Sequence, residues 1–162
     1  MERLGTNHAA GISIITFIVA VAISLGYYQF LYIPQANAKP ILPTDIVNPP
    51  GVTKVTIIHG ASSPNNAEHF VPSEIRSAIG ATNKVIWTNQ DEVAHTVTSD
   101  NGYNDKINGP FDSLQHPDQN GGGYIMPGKS WSFTFTAEGD YAYHCVPHPF
   151  MTGVVHVVPN FA

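Results

Sequence analysis

In the stretch Ser130-Trp131-Ser132-Phe133-Thr134-Phe135-Thr136 three aromatic side chains alternate with small hydroxyl residues. A period of two marks an extended strand with one buried face and one wet face. Similar runs occupy residues 52–58, 84–88, 95–98, 141–145 and 153–158, each bounded by Gly, Pro, Asn or Asp. Only residues 73–79, with Ser73 placed as an N-cap, offer a helical turn or two. Short strands with no regular helix between them predict an all-β fold, an antiparallel sandwich or small barrel. The Asn-, Asp- and Gly-rich segment 101–123 is expected to be its one large loop.

The N-terminal part of the chain obeys a different rule. No Lys, Arg, Asp or Glu occurs from Leu4 to Ala38, and residues 9–33 are mostly apolar. As a helix rising about 1.5 Å per residue, such a run spans a hydrocarbon core of about 30 Å with some tilt. Tyr27, Tyr28 and Tyr32 at its far end suit a membrane interface. Residues 1–33 are therefore expected to be a membrane anchor, with residues 9–33 meeting the lipid. A cleaved signal segment is the competing reading, since Ala36-Asn37-Ala38 has the A-x-A form of a cleavage site. Either way the remainder is expected on the extracytoplasmic side of the cell membrane. Pro34, Pro40, Pro43, Pro49 and Pro50 make residues 34–51 a stiff spacer, which leaves residues 52–162 as the folded domain.

Five basic residues, Lys54, Arg76, Lys84, Lys106 and Lys129, face ten acidic ones in that domain, so it carries nearly all of the chain's net charge of −5. A nucleic-acid partner, which needs clustered basic residues, is excluded. The single cysteine, Cys145, excludes an internal disulfide, a CxxC zinc site and a four-cysteine iron–sulfur cluster.

The chemistry gathers where the last-but-one strand ends, in Cys145-Val146-Pro147-His148-Pro149-Phe150-Met151. A thiolate, an imidazole and a thioether recur there at three-residue spacing. A thiolate and two imidazoles in a trigonal plane, with a weak axial Met, form the blue-copper electron-transfer site. The second imidazole must come from another strand, and His95 is the candidate. Alone, a buried Cys would be an inert core residue, and a Cys–His–Asp hydrolase lacks a nucleophile-elbow or oxyanion motif beside Cys145. Trp87 and Trp131 are expected in the core, and His144 on the face opposite Cys145. His59, His69, His116 and His156 are expected to be solvated or internally satisfied, and Asp112, His116 and Asp118 form at most a weak second metal site.

At these residues the chain resembles the small cupredoxins, across most of residues 52–158. Trp87-Thr88-Asn89-Gln90-Asp91 followed by His95-Thr96-Val97 is similar to the segment that carries the family's first ligand. Phe111-Asp112-Ser113, Pro127-Gly128-Lys129-Ser130, Phe133-Thr134-Phe135 and Gly139-Asp140-Tyr141 resemble the strands and turns leading to the Cys. The ligand loop is most similar to the short loop of amicyanin-like members. Thr96 stands where many members carry an Asn whose side chain ties the two ligand loops together.

The resemblance implies a Greek-key sandwich holding one type 1 copper ion, with His95, Cys145 and His148 equatorial and Met151 axial. It further implies a carrier of single electrons that docks redox proteins near Pro147, His148, Pro149 and Phe150. An oxidoreductase acting on a small molecule such as nitric oxide, peroxide or a metal ion at an open copper position is the alternative. Copper storage or delivery is a third, although its repeated Met and His motifs are missing.

Overall fold

The computed structural model describes residues 5–116 and 123–160. The chain divides at Lys39 into two compact units. In the first, helix α1 (Gly5–Tyr27) runs through a π-helical turn (Tyr28–Tyr32) into the short helix α2 (Ile33–Ala36). The segment Ser13–Ala36, 24 residues containing an 18-residue stretch with a mean hydropathy of 2.0, is long and apolar enough to cross a membrane.

Among the described residues, the second unit holds a short helix α3 (Thr44–Val47) and ten strands. These are β1 (Val52–Ile57), β2 (Phe70–Val71), β3 (Glu74–Ala78), β4 (Lys84–Asn89), β5 (Thr98–Ser99), β6 (Asn104–Asp105), β7 (Gly109–Pro110), β8 (Ser130–Thr134), β9 (Gly139–His144) and β10 (Thr152–Val158). One sheet has the order β2-β1-β4-β8 and the other β3-β10-β9-β5, with β6-β7 as a separate ladder. The expected sandwich is therefore present. Its ladders are mixed, because β1 pairs parallel to β4 and β3 parallel to β10, while the other pairs run antiparallel. Between β1 and β4 the chain visits both sheets through β2 and β3, so β1 and β4 become neighbours running the same way.

Two expectations need correction. Within residues 73–79, Glu74–Ala78 form strand β3 instead of a helical turn. Its burial alternates with Ile75 and Ser77 inward, and the Ser73 carbonyl accepts from Val154 N at 2.8 Å. A small polar Ser at an inward position disguised the period of two. The second half of the expected spacer is folded onto the domain, since the buried Asn83 side chain donates to Ile46 O at 2.7 Å and Gly51 N donates to Ala81 O at 2.9 Å.

The two sheets bury an aromatic core of Trp87, Phe111, Trp131, Phe133, Phe135 and Tyr143. Trp87 and Trp131 face each other across the β4–β8 ladder at 5.4 Å between centroids, as the alternation in 130–136 requires. Gly153 is the one inward position of β10 with no side chain. A Cβ there would lie 2.5 Å from Tyr143 Oη and 2.9 Å from Ser73 O, so the tyrosine ring takes the space.

The long loop is tied down by Asp105. Its carboxylate accepts from Tyr103 Oη (3.0 Å), Ile107 N (2.9 Å), Asn108 N (3.0 Å), Thr136 N (3.0 Å) and Thr136 Oγ1 (2.7 Å). Burial alone would push this carboxyl up, but the donors outweigh it and hold it below the usual carboxylate range. A carboxyl held low in the folded state adds stability that is full above the unfolded value near pH 4 and is lost as pH falls below it. Asp105→Asn is expected to lower unfolding stability at pH 7 by about 2 kcal/mol, with the gap to wild type closing below about pH 4. Urea unfolding at pH 7 and pH 3 measures both effects.

Candidate metal centre

Strand β9 sets the phase of the site. Its inward residues are Tyr141 and Tyr143, and the same alternation carries Cys145 inward just past the strand end, fully buried. His144 consequently points outward, where Nδ1 meets Asp100 Oδ1 at 2.5 Å. The next residues fold into tight turns: His148 N donates to Cys145 O at 3.1 Å and Met151 N to His148 O at 2.9 Å. Cys145 N then donates to Met151 O at 3.1 Å, closing the loop onto itself. Strand β10 starts at once, with Thr152 opposite His144. Met151 is fully buried, His148 half-buried, and Val146, Pro147, Pro149 and Phe150 are exposed.

His95 arrives from the connection between β4 and β5. It exchanges both backbone hydrogen bonds with Ile125, at 3.2 and 2.8 Å. Asn89 shapes the turn before it, its amide donating to Val93 O (2.7 Å) and Ile125 O (2.8 Å) while its oxygen accepts from Asp91 N (2.8 Å). Thr98 pairs with His144, so β5 lays this connection against the end of β9.

The result is a convergent donor set. His95 Nδ1 lies 3.6 Å and His148 Nδ1 3.7 Å from Cys145 Sγ. One donor atom from each of His95, Cys145 and His148 lies within 4.8 Å of the others, a group that could hold a metal ion. The His95 and His148 rings are 5.0 Å apart. A soft sulfur and two imidazole nitrogens, largely shielded from water, fit copper in either oxidation state.

Thr96 joins the two ligand segments. Its backbone N–H donates to Cys145 Sγ at 3.3 Å, and its hydroxyl oxygen accepts from Val146 N at 2.8 Å with a longer approach of 3.9 Å to Sγ. The threonine thus makes the tie expected of the Asn in its place, and the backbone donor to the sulfur, unidentified in the sequence, is that of Thr96. Burial pushes the Cys145 thiol up, against the opposing bonds from Thr96 and His148. Burial likewise holds His95 down, against the bond to Asp91.

Among the described residues, the weak second site is not assembled. Asp112 is spent on Leu114 N, the Gln115 side chain and Thr98 Oγ1, and His116 Nε2 bonds Pro110 O at 2.8 Å. Asp118 lies outside the described residues. His156 is satisfied by Asp140 at 2.6 Å and Glu74 at 2.7 Å, as expected of a surface histidine. Sequence reasoning missed Asp91, whose carboxylate holds the far nitrogen of His95 at 2.9 Å. Its signal was the Asp four residues before the histidine.

A sandwich whose one cysteine meets two histidines at the end of a strand defines a cupredoxin-type copper protein. The match to the family described as copper binding proteins, plastocyanin/azurin family, covers residues 59–158, and the chain belongs to that family; its cofactor is copper. It is 33% identical over 90 residues to amicyanin-alpha of Methylorubrum extorquens, covering 54% of this chain and 63% of that one. It is 33% identical over 86 residues to amicyanin of Paracoccus denitrificans, covering 52% and 54%. The matched region thus spans less than two thirds of each relative. A solved structure described as a novel purple cupredoxin from Nitrosopumilus maritimus superposes with a TM-score of 0.51 at 26% identity, over 65% of this chain and 99% of that one.

Thr96→Val keeps the shape and the backbone donor to sulfur but strands the Val146 N–H. Stability is expected to fall by about 1–3 kcal/mol, with Thr96→Ser restoring most of it. Thermal unfolding of the two variants against wild type is the check.

Proposed function

We propose that this protein is a membrane-tethered, extracytoplasmic carrier of single electrons. His95, Cys145 and His148 would hold the copper and Met151 would be its axial ligand. The observation that carries the proposal is the donor set itself, two imidazole nitrogens beside one thiol sulfur, fixed by hydrogen bonds in two separate segments of the chain. Copper supplies a one-electron couple when bound. The chain's part is to keep the donors where both oxidation states accept them, so that little has to rearrange. Thr96 and the closed 145–151 loop do this by pinning backbone, and the sandwich does it by packing. Deprotonating a buried thiol is unfavourable without a metal, so Cys145 would give up its proton only as it takes up copper.

The half-buried His148 ring would offer the electron's way out; it is flanked by exposed Val146, Pro147, Pro149 and Phe150, with Phe150 6.0 Å from His148 between centroids. Tyr124 and Met126, also exposed, flank Ile125 on the His95 side. An apolar rim around one imidazole suits brief docking of a redox protein. The acidic balance of the domain favours a partner with a basic or neutral rim, so association weakens as salt rises. In this reading residues 1–33 would serve as the anchor and residues 52–162 as the copper domain, with residues 34–51 as a linker whose second half packs on that domain.

Cys145→Ser is expected to abolish the intense thiolate-to-copper visible band of the copper-loaded protein and leave its β-sheet circular dichroism in place. A coloured serine variant would mean that another residue supplies the sulfur. Met151→Leu should keep the band and raise the reduction potential, because removing a soft donor destabilises Cu(II) more than Cu(I). Loss of copper binding in that variant would instead make Met151 an indispensable ligand.

A further inference from the structure

We propose that Asp91 is a positioning residue of the copper centre, whose fixed negative charge, applied through His95, biases the site towards Cu(II). This rests on His95 being a ligand. The His95 ring is held at both ends: Nδ1 faces Cys145 Sγ at 3.6 Å and Nε2 faces Asp91 Oδ2 at 2.9 Å. An ionised carboxylate accepts only, so Nε2 must carry the ring proton and Nδ1 must present its lone pair to the cluster. The tautomer a metal needs is thereby set before any metal arrives.

Asp91 is built to stay charged. It is 5% exposed, and its carboxylate accepts from Gly60 N (2.8 Å), Glu92 N (2.9 Å) and Ser62 N (3.0 Å) besides His95. Three backbone N–H groups and the His95 ring N–H all point at its oxygens, an arrangement that favours the ionised form. No Lys or Arg pairs with it among the described residues; its one ion-pair partner is His95. The backbone dipoles spread the charge without cancelling it.

The sign of the effect follows from counting charges. Thiolate and carboxylate together balance Cu(II), whereas with Cu(I) the same buried cluster keeps an excess negative charge in a medium that screens poorly. A neutral isostere at position 91 therefore loosens Cu(II) more than Cu(I). A purely structural tie would loosen both alike. The same carboxylate also fixes the turn at Gly60–Ser62, where Ala61 O bonds His69 Nδ1 at 2.9 Å. The His69 ring in turn meets Phe150 of the ligand loop at 5.0 Å, so the turn that Asp91 holds braces the other side of the site.

The test is Asp91→Asn and Asp91→Glu in the full-length, copper-loaded protein, with potentiometry and separate Cu(I) and Cu(II) affinities. Asp91→Asn should keep the thiolate band, with Cu(II) affinity falling roughly tenfold more than Cu(I) affinity, equivalent to a rise of about 59 mV for one electron. Asp91→Glu should return the potential towards wild type. Equal loss of both affinities, or an unchanged potential in a destabilised protein, would reduce Asp91 to a loop tie. Should the variants not fold, the oxidised-minus-reduced infrared spectrum of the wild type decides. A carboxylate band that moves on 13C-aspartate labelling is expected, and its absence overturns the proposal. His95→Gly retaining native colour and affinity would instead overturn the ligand assignment on which the proposal rests.

Discussion

The contact between Thr96 N–H and Cys145 Sγ, reinforced by Val146 N–H on the Thr96 hydroxyl, is the constraint on which the centre depends. It joins residues 49 and 50 positions apart in sequence, and no local propensity would bring them together. The sandwich exists, from this standpoint, to deliver two backbone segments to one point. Strand β9 delivers Cys145 through its inward phase, and β5 delivers the His95–Thr96 segment by pairing with β9 at His144 and Tyr143. Losing either ladder would separate the donors and leave Cys145 an ordinary buried thiol.

A donor set this dry imposes an energetic demand elsewhere. Buried imidazole, carboxamide and carboxylate groups are costly unless every polar atom finds a partner. Asn89, Asp91 and His95 meet the condition among themselves and with the backbone of residues 60, 62, 92, 93 and 125. The polar cluster is thus a scaffold in its own right. It holds the His95 ring in place with bonds that do not pass through the metal, which is why the donors already converge. A site prepared in this way gives up little order on binding and has little to rearrange when its charge changes.

Much of this was legible in the sequence, and the parts that were not share a cause. The ladder around Trp131, the inward phase of Cys145 and the outward His144 all follow from the period of two. Cys145 and His148 were visible as a pair because a single loop carries them at fixed spacing. The tie made by Thr96 was hidden because its partner Val146 becomes a neighbour only after the sheets assemble, whereas Asp91 left one local mark, its place four residues before His95. Strand β3 was misjudged because Ser77 occupies an inward position where an apolar residue would have marked the alternation. The parallel pairing of β1 with β4 leaves no mark in either strand, since it is set by the path of the chain between them.

The central claim is that one rigid set of three donors from this chain holds copper in both oxidation states. X-ray absorption at the copper edge of the loaded protein, oxidised and then reduced, tests it most directly. The account predicts a shell of one short sulfur and two imidazole nitrogens that is nearly superimposable between the two states. A shell dominated by oxygen, or one that gains or loses an imidazole on reduction, would contradict it.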